Sequence, residues 1–182
     1  MQNNIKAIFV PGNGNDNFQD RWRPYLKEEL EKLGISVINI DFPDPVLASM
    51  KVWLPYLKEL GADENTILIG HSSGAEATMR YAENNKLFGT VLIGACYTDL
   101  SLQNEKEAGY YDAPWQWDNI KNNQKWIIQF HSTDDPFIPI EEARFVHEKL
   151  DTDYQEFNNR GHFGDGKEFP ELIEAIKNYL IK

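Results

Sequence analysis

The 182-residue chain is 41% apolar, 26% charged and 13% aromatic, with a formal net charge of −11. That length supports one cross-link-free domain over residues 1–182, and the acidic balance excludes nucleic acid or an anionic membrane surface as a natural partner. The single cysteine, Cys96, excludes an internal disulfide, no apolar run approaches the roughly 20 residues of a membrane span, and Met1–Val10 lacks a signal-peptide pattern, so a cytoplasmic protein is expected.

Short apolar runs alternate with longer amphipathic segments. Ile5–Val10 reads as a first strand, closed by Pro11-Gly12-Asn13-Gly14. Trp22, Leu26, Leu30 and Leu33 then recur at helical spacing and predict one apolar face, with Pro24 near the helix start and Gly34 as its C-terminal cap. Ile35–Ile40 is a second strand, and Phe42-Pro43-Asp44-Pro45 breaks regular structure. Ala48–Leu60 has helical character, with Pro55 expected to kink it or mark its first turn.

Thr66–Ile69 is a third strand, followed at once by Gly70-His71-Ser72-Ser73-Gly74 and a helix over Ser73–Glu83. Its small residues Gly74, Ala75 and Ala77 suit a helix lying close to a sheet. Phe88–Ile93 is a fourth strand. Cys96–Asn123 reads as irregular, a length that marks a functional connection in a compact domain. Trp126–Phe130 is a fifth strand, Ile140–Leu150 a helix and Tyr154–Phe157 a short sixth strand. A last helix presents Leu172, Ile173, Ile176 and Leu180. Strands alternating with helices imply right-handed crossovers and an α/β fold with a mainly parallel six-stranded sheet covered on both faces.

The third strand carries the chemistry. Gly70-His71-Ser72-Ser73-Gly74 matches G-x-S-x-G between a strand and a helix, where a sharp turn lifts a serine hydroxyl off the sheet. Ser72 is then the candidate nucleophile, near the free N–H groups of a helix start that stabilise an oxyanion. Ser73 falls outside the pattern's centre and is expected to cap the helix. His71 reads as a packed neighbour, because the nucleophile's base comes from a distant loop.

A serine nucleophile needs a base, and the base an orienting acid, in chain order serine, acid, histidine at successive strand ends. His131-Ser132-Thr133-Asp134-Asp135-Pro136 follows the fifth strand, and Asn159-Arg160-Gly161-His162-Phe163 the sixth. His162 is the candidate base. His147 falls in a surface helix, and His131 is expected to line a pocket. Asp135 is favoured as the acid because Pro136 restricts it, while Asp134 also fits as a turn cap. The loop after the first strand should supply the second oxyanion donor, so the backbone N–H groups of Asn13 and Ser73 are assigned that role. A phosphate loop is disfavoured because no G-K-[ST] follows Gly12-Asn13-Gly14, and no cysteine pair or H-E-x-x-H points to a metal. Neither metal nor cofactor is expected. Trp22, Tyr97, Trp115, Trp117, Phe137 and Phe163 are the rings expected to wall a small apolar substrate pocket, although core packing is open to each of them.

These segments resemble the small serine hydrolases that include retinoblastoma-binding protein nine and the YdeN-type bacterial proteins. The resemblance runs through Pro11-Gly12-Asn13-Gly14, Pro43-Asp44-Pro45, Trp53-Leu54-Pro55, Gly70-His71-Ser72-Ser73-Gly74-Ala75, Met79-Arg80-Tyr81-Ala82-Glu83, Pro114-Trp115-Gln116-Trp117, Ser132-Thr133-Asp134-Asp135-Pro136-Phe137 and Gly161-His162-Phe163. It implies a compact α/β-hydrolase with little or no lid and a triad of Ser72, Asp135 and His162, but it supplies no physiological substrate; cleavage of small ester or amide substrates, aminoacyl ones included, is the expected reaction. Binding to a retinoblastoma-type pocket through L-x-C-x-E is not expected, because Cys96 sits in Gly94-Ala95-Cys96-Tyr97-Thr98. The alternative is a catalytically weak binding module on the same scaffold, with Trp115 and Trp117 as a protein-binding patch.

Overall fold

A computed structural model describes residues 5–14, 17, 19 and 21–180. Strands β1 (Lys6–Val10), β2 (Ser36–Ile38), β3 (Thr66–His71), β4 (Gly89–Ile93), β5 (Ile127–Ser132) and β6 (Asp153–Phe157) form one sheet in the order β2-β1-β3-β4-β5-β6. Every pairing is parallel. Helices α1 (Arg23–Lys32), α2 (Met50–Glu59), α3 (Ser73–Ala82), α4 (Gln103–Ala108), α5 (Trp117–Asn122), α6 (Ile140–Leu150) and α7 (Pro170–Leu180) fill the connections. This is the α/β arrangement expected from the alternating pattern.

The side-chain alternation of each strand divides the core in two. Ile8, Val10, Leu68 and Leu92 pack on one face with Trp53, Leu57, Ala75 and Met79 from α2 and α3. Ala7, Phe9, Ile67, Ile69, Val91 and Ile93 pack on the other with Leu26 and Leu30 of α1 and Leu172 and Ile176 of α7. β3, β4 and β5 are buried along their whole length, which is why they read as unbroken apolar runs.

Three expectations need correction. Leu33 caps α1 and is exposed, because the helix ends before its turn comes round to the core. The second strand is shorter than Ile35–Ile40, as an edge strand with one neighbour has less to pair with. The connection after β4 is not irregular throughout. It contains α4 and α5, and its middle is tied down by a buried arginine. Arg80 donates from Nε to the Tyr110 carbonyl (2.7 Å) and from Nη2 to that of Ala113 (2.6 Å), pairs with Glu83 (2.6 Å) and lies 3.7 Å over the Trp115 ring. The chain's polar groups in this connection therefore find partners on α3, which short-range periodicity does not reveal.

The order of the sheet also fixes where a site forms. The chain leaves β1 toward β2, then crosses back to β3 on β1's other side. Loops at the carboxyl ends of β1 and β3 therefore diverge, and a crevice opens between them.

Candidate active site

Ser72 stands at that crevice, between the last residue of β3 and the first of α3. Its backbone has φ 55° and ψ −127°. A side-chain-bearing residue there stores strain of about 1–3 kcal/mol, held by the packing around it. The flanking glycines show what that packing demands. A Cβ on Gly70 would lie 2.3 Å from the Gly74 carbonyl oxygen, and one on Gly74 would lie 2.2 Å from the Val10 carbonyl oxygen. Any side chain at either place would push α3 off the sheet. The Ser72 N–H donates to the Ile93 carbonyl at 2.9 Å, which ties the turn to β4. Ser72 is itself the N-cap residue of α3. Ser73 is the helix's first residue and not its cap, contrary to expectation, and Ser72 makes no side-chain capping bond.

His162 lies on the loop between β6 and α7. Its Nδ1–H donates to Asp135 Oδ2 at 2.7 Å, and the Asp135 side chain is fully buried. The other carboxylate oxygen of Asp135 accepts the N–H groups of Phe137 (2.9 Å) and Ile138 (3.1 Å). Burial pushes the Asp135 carboxyl up, but the bond and charge of His162 together with the two backbone amides outweigh it and hold the group below the ordinary carboxylate range. With Nδ1 carrying the proton, Nε2 is left as the acceptor. Gly94, at φ +60°, keeps room for the ring: a Cβ there would lie 3.1 Å from His162 Cε1.

Asp134 does different work. Its Oδ1 accepts the Gly161 N–H at 3.0 Å and the hydroxyl of Ser132, whose Oγ in turn accepts the Arg160 N–H at 3.1 Å. Asp134 thus pins the loop that carries His162. His71 pins it from the other side, its Nε2–H donating to the His162 carbonyl at 2.8 Å, while Arg21 donates to His71 Nδ1 at 3.2 Å.

Ser72 and His162 border one cavity of about 310 Å³. Gly12, Asn13 and Ser73 line it beside Ser72, so the loop after β1 and the first turn of α3 meet where the oxyanion donors were sought. Of the six rings expected to wall the pocket, Phe137 alone lines this cavity. It is 68% exposed and sets its edge on the His162 ring at 5.2 Å. Trp22 is core instead: it packs on Phe9 and Phe169, and its Nε1–H donates to the Phe163 carbonyl at 3.0 Å. Phe163 is buried and stacked on Phe169. Tyr97 stacks on Phe145 at 4.0 Å. Trp115 and Trp117 stack on each other and line a separate, shallow depression with Lys149. These five rings fail as pocket walls for one reason. They serve the packing of α1, α6 and α7 or the segment held by Arg80, and none of that is visible in local composition. His131 is likewise fully buried, its Nε2–H directed at the Ile138 carbonyl (3.1 Å), and it does not line the cavity.

Six residues that line the cavity went unrecognised in the sequence: Glu76, Cys96, Leu100, Leu102, Asn104 and Glu105. One signal was available. Glu76 is an acid set among the small residues Gly74, Ala75 and Ala77, four residues after Ser72.

The chain matches the family model described as serine hydrolase over residues 7–180. It is 44% identical over 183 residues to serine hydrolase RBBP9 of Rattus norvegicus, covering 99% of this chain and 98% of that one. The crystal structure of the ydeN gene product from B. subtilis superposes with a TM-score of 0.86 at 22% identity, over 97% of this chain and 100% of that one. Est1E from Butyrivibrio proteoclasticus, with ferulic acid bound, shares the fold at a TM-score of 0.77 and 13% identity, over 97% of this chain and 88% of that one.

Proposed function

The chain belongs to the serine hydrolase family, and from that premise we propose that it cleaves small esters or amides by two-step acyl transfer at Ser72. His162 Nε2 takes the Ser72 proton as the hydroxyl oxygen attacks the substrate carbonyl. The tetrahedral oxyanion is held by the N–H groups of Asn13 and Ser73. His162 then gives its proton to the leaving group, and an ester or acyl link joins substrate to Ser72. Water, deprotonated by the same imidazole, then attacks the acyl carbon; the bond to the Ser72 oxygen breaks, that oxygen takes the proton back from His162, and the acid is released. Asp135 keeps the proton on Nδ1 and stabilises the imidazolium formed at each transfer.

One observation carries this reading. A fully buried carboxylate holds the imidazole at 2.7 Å in a cavity shared with a serine of strained backbone. Packing alone does not require those three groups at one edge of the sheet, and strain of this kind collects at functional sites. A desolvated carboxylate bonded to imidazole is also the device that fixes a general base in its working tautomer.

The test is covalent labelling with a fluorophosphonate, which phosphonylates an activated serine. Wild type should label and turn over short acyl esters, whereas Ser72→Ala should do neither. Equal labelling of the two proteins removes Ser72 as the nucleophile. Labelling without turnover on any ester or arylamide replaces the enzyme by the binding module.

A further inference from the structure

The Asn13 N–H assigned to the oxyanion belongs to a loop, and a donor of this kind is worth most when it is fixed before charge develops on the substrate. Packing secures the first residues of that loop. A Cβ on Gly12 would lie 3.3 Å from Ser72 Cβ, and one on Gly74 would collide with the Val10 and Pro11 carbonyls. Beyond Asn13 the backbone is held less closely: the Gly14 N–H reaches the Val46 carbonyl at 3.5 Å, the outer limit of a hydrogen bond. Asn13 is fastened instead through its side chain. Its Nδ2–H donates to Glu105 Oε1 at 2.8 Å, across 92 residues of chain.

Glu105 lies in the first turn of α4 and is half-buried. Leu100 and Ser101, shortly before that helix, both have left-handed backbones (φ 50° and 61°). Such backbone is strained for residues that carry a side chain, and it leads into the helix whose Asn104 and Glu105 border the cavity. Asn104 Nδ2–H donates to the same Oε1 at 3.0 Å. Burial pushes the Glu105 carboxyl up, and the bonds from Asn13 and Asn104 oppose that rise. The acid and the Asn13 amide therefore each lose by separation, and the link between α4 and the loop after β1 is mutual.

Resting on the hydrolase reading of this cavity, we propose that Glu105 is a positioning residue for the reaction: by holding the Asn13 side chain it sets the direction of the Asn13 backbone N–H toward the oxyanion. The amide and the N–H belong to one residue, so a bond to the first restricts rotation of the second. The role needs an acceptor at Oε1 and no contact between Glu105 and substrate. A displaced donor weakens the transition state more than the bound substrate, because the oxyanion exists only in the former. Acylation and deacylation both pass through an oxyanion, so kcat reads the effect whichever step is slower.

The test is a double-mutant cycle on hydrolysis of a short-chain p-nitrophenyl ester, with rates expressed per serine labelled at the end point by fluorophosphonate, so that unfolded protein does not count. Asn13→Ala removes the amide and keeps the backbone N–H; Asn13 is not among the left-handed residues, so alanine fits its backbone. Glu105→Ala removes the acceptor. Each should lower kcat about 10–100-fold, less than the outright loss of an oxyanion donor. Both changes break one bond, so the double variant should match the weaker single variant to within about threefold. Glu105→Gln keeps a neutral acceptor, and its loss in kcat should be the smaller one, about three- to tenfold. Losses that multiply in the double variant overturn the proposal. So does a Glu105→Ala effect confined to KM, the mark of a group that only touches substrate, and so does a wild-type kcat in that variant. If Glu105→Ala does not fold, Glu105→Gln is taken through the same cycle: its loss should vanish in the Asn13→Ala background, and its persistence there overturns the proposal. A wild type that neither labels nor turns over the ester removes the hydrolase reading and this role with it, whereas multiplying losses in an active enzyme remove this role alone.

Discussion

Asp135→Asn isolates the orienting role from its surroundings. The carboxylate accepts three hydrogen bonds: one from His162 Nδ1 at 2.7 Å and two from the backbone of Phe137 and Ile138. Asparagine can keep both backbone bonds through Oδ1. Its NH₂ group then faces a ring nitrogen that also carries hydrogen, and two donors cannot bond. The imidazole must move its proton to Nε2, where it can no longer accept from Ser72, and the imidazolium loses its counter-charge. The expected loss in kcat/KM is about 10³–10⁴, or roughly 4–5.5 kcal/mol of transition-state stabilisation. Asp134→Asn is the control, because its Oδ1 can still accept from Gly161 N–H and Ser132; it should cost less than about tenfold in kcat/KM. Both are read by hydrolysis of a short-chain p-nitrophenyl ester, with urea unfolding as the check on folding. The pH dependence of that unfolding supplies a second check. The folded Asp135 carboxyl is held below its ordinary range, so the stability it contributes is complete above about pH 4 and is lost as pH falls through the lower folded value. The difference between wild type and Asp135→Asn should therefore be flat at neutral pH and shrink in acid. A loss from Asp134→Asn that equals or exceeds that from Asp135→Asn refutes the reasoning.

Gly94→Ala would place a methyl group 3.1 Å from His162 Cε1 at φ +60°; it should lose about 1–2 kcal/mol of stability and lower kcat more than it raises KM in steady-state kinetics. Trp22→Phe removes the bond to the Phe163 carbonyl and should destabilise by about 1–2 kcal/mol in urea unfolding. Phe137→Ala, at an exposed position, should stay within about 0.5 kcal/mol of wild type yet lower kcat/KM; the reverse pattern would exchange their assigned roles. Burial, seconded by the charge of Glu105, holds the Glu76 carboxyl well above its ordinary range. Its contribution is thus complete below about pH 4.3 and is lost as pH rises toward the raised folded value. Glu76→Gln cannot ionise, so its stability relative to wild type should increase between pH 4.5 and pH 8 (about 3.5 pH units apart), and a constant difference would count against the buried acid.

The sheet is legible in the sequence because its central strands are buried on both faces and therefore read as apolar runs, and because a parallel sheet demands a helix between each pair. The G-x-S-x-G turn is legible for a steric reason: Gly70 and Gly74 stand where a Cβ would collide with backbone. The chain order of Ser72, Asp135 and His162 follows from strand ends that the same pattern locates. The pocket rings are not legible, because ring content says nothing about direction. Trp22 and Phe163 are as aromatic as Phe137, but a bond between Trp22 and the Phe163 backbone binds them into the core. Nor is the connection after β4 legible, since its order comes from Arg80, whose acceptors Tyr110, Ala113 and Pro114 lie about three dozen residues or fewer further on and outside any local period.

The proposed triad and the acidic residues of the cavity are held by different parts of the molecule. Asp135 and His162 sit on loops at the ends of β5 and β6; the bonds that steady them run between those loops through Asp134 and Ser132, and reach His162 from His71 at the end of β3. Glu76 and Glu105 belong to α3 and α4 and are steadied by Cys96, Asn13 and Asn104. His162, Glu76 and Glu105 border the same cavity. Replacing Glu76 or Glu105 should leave the hydrogen bonds of the loops after β5 and β6 intact. Asn13 is the exception. Its backbone N–H is assigned to the oxyanion, and its side chain holds Glu105. A change at Glu105 therefore acts through Asn13, and Glu105→Gln should register in kcat as well as in KM.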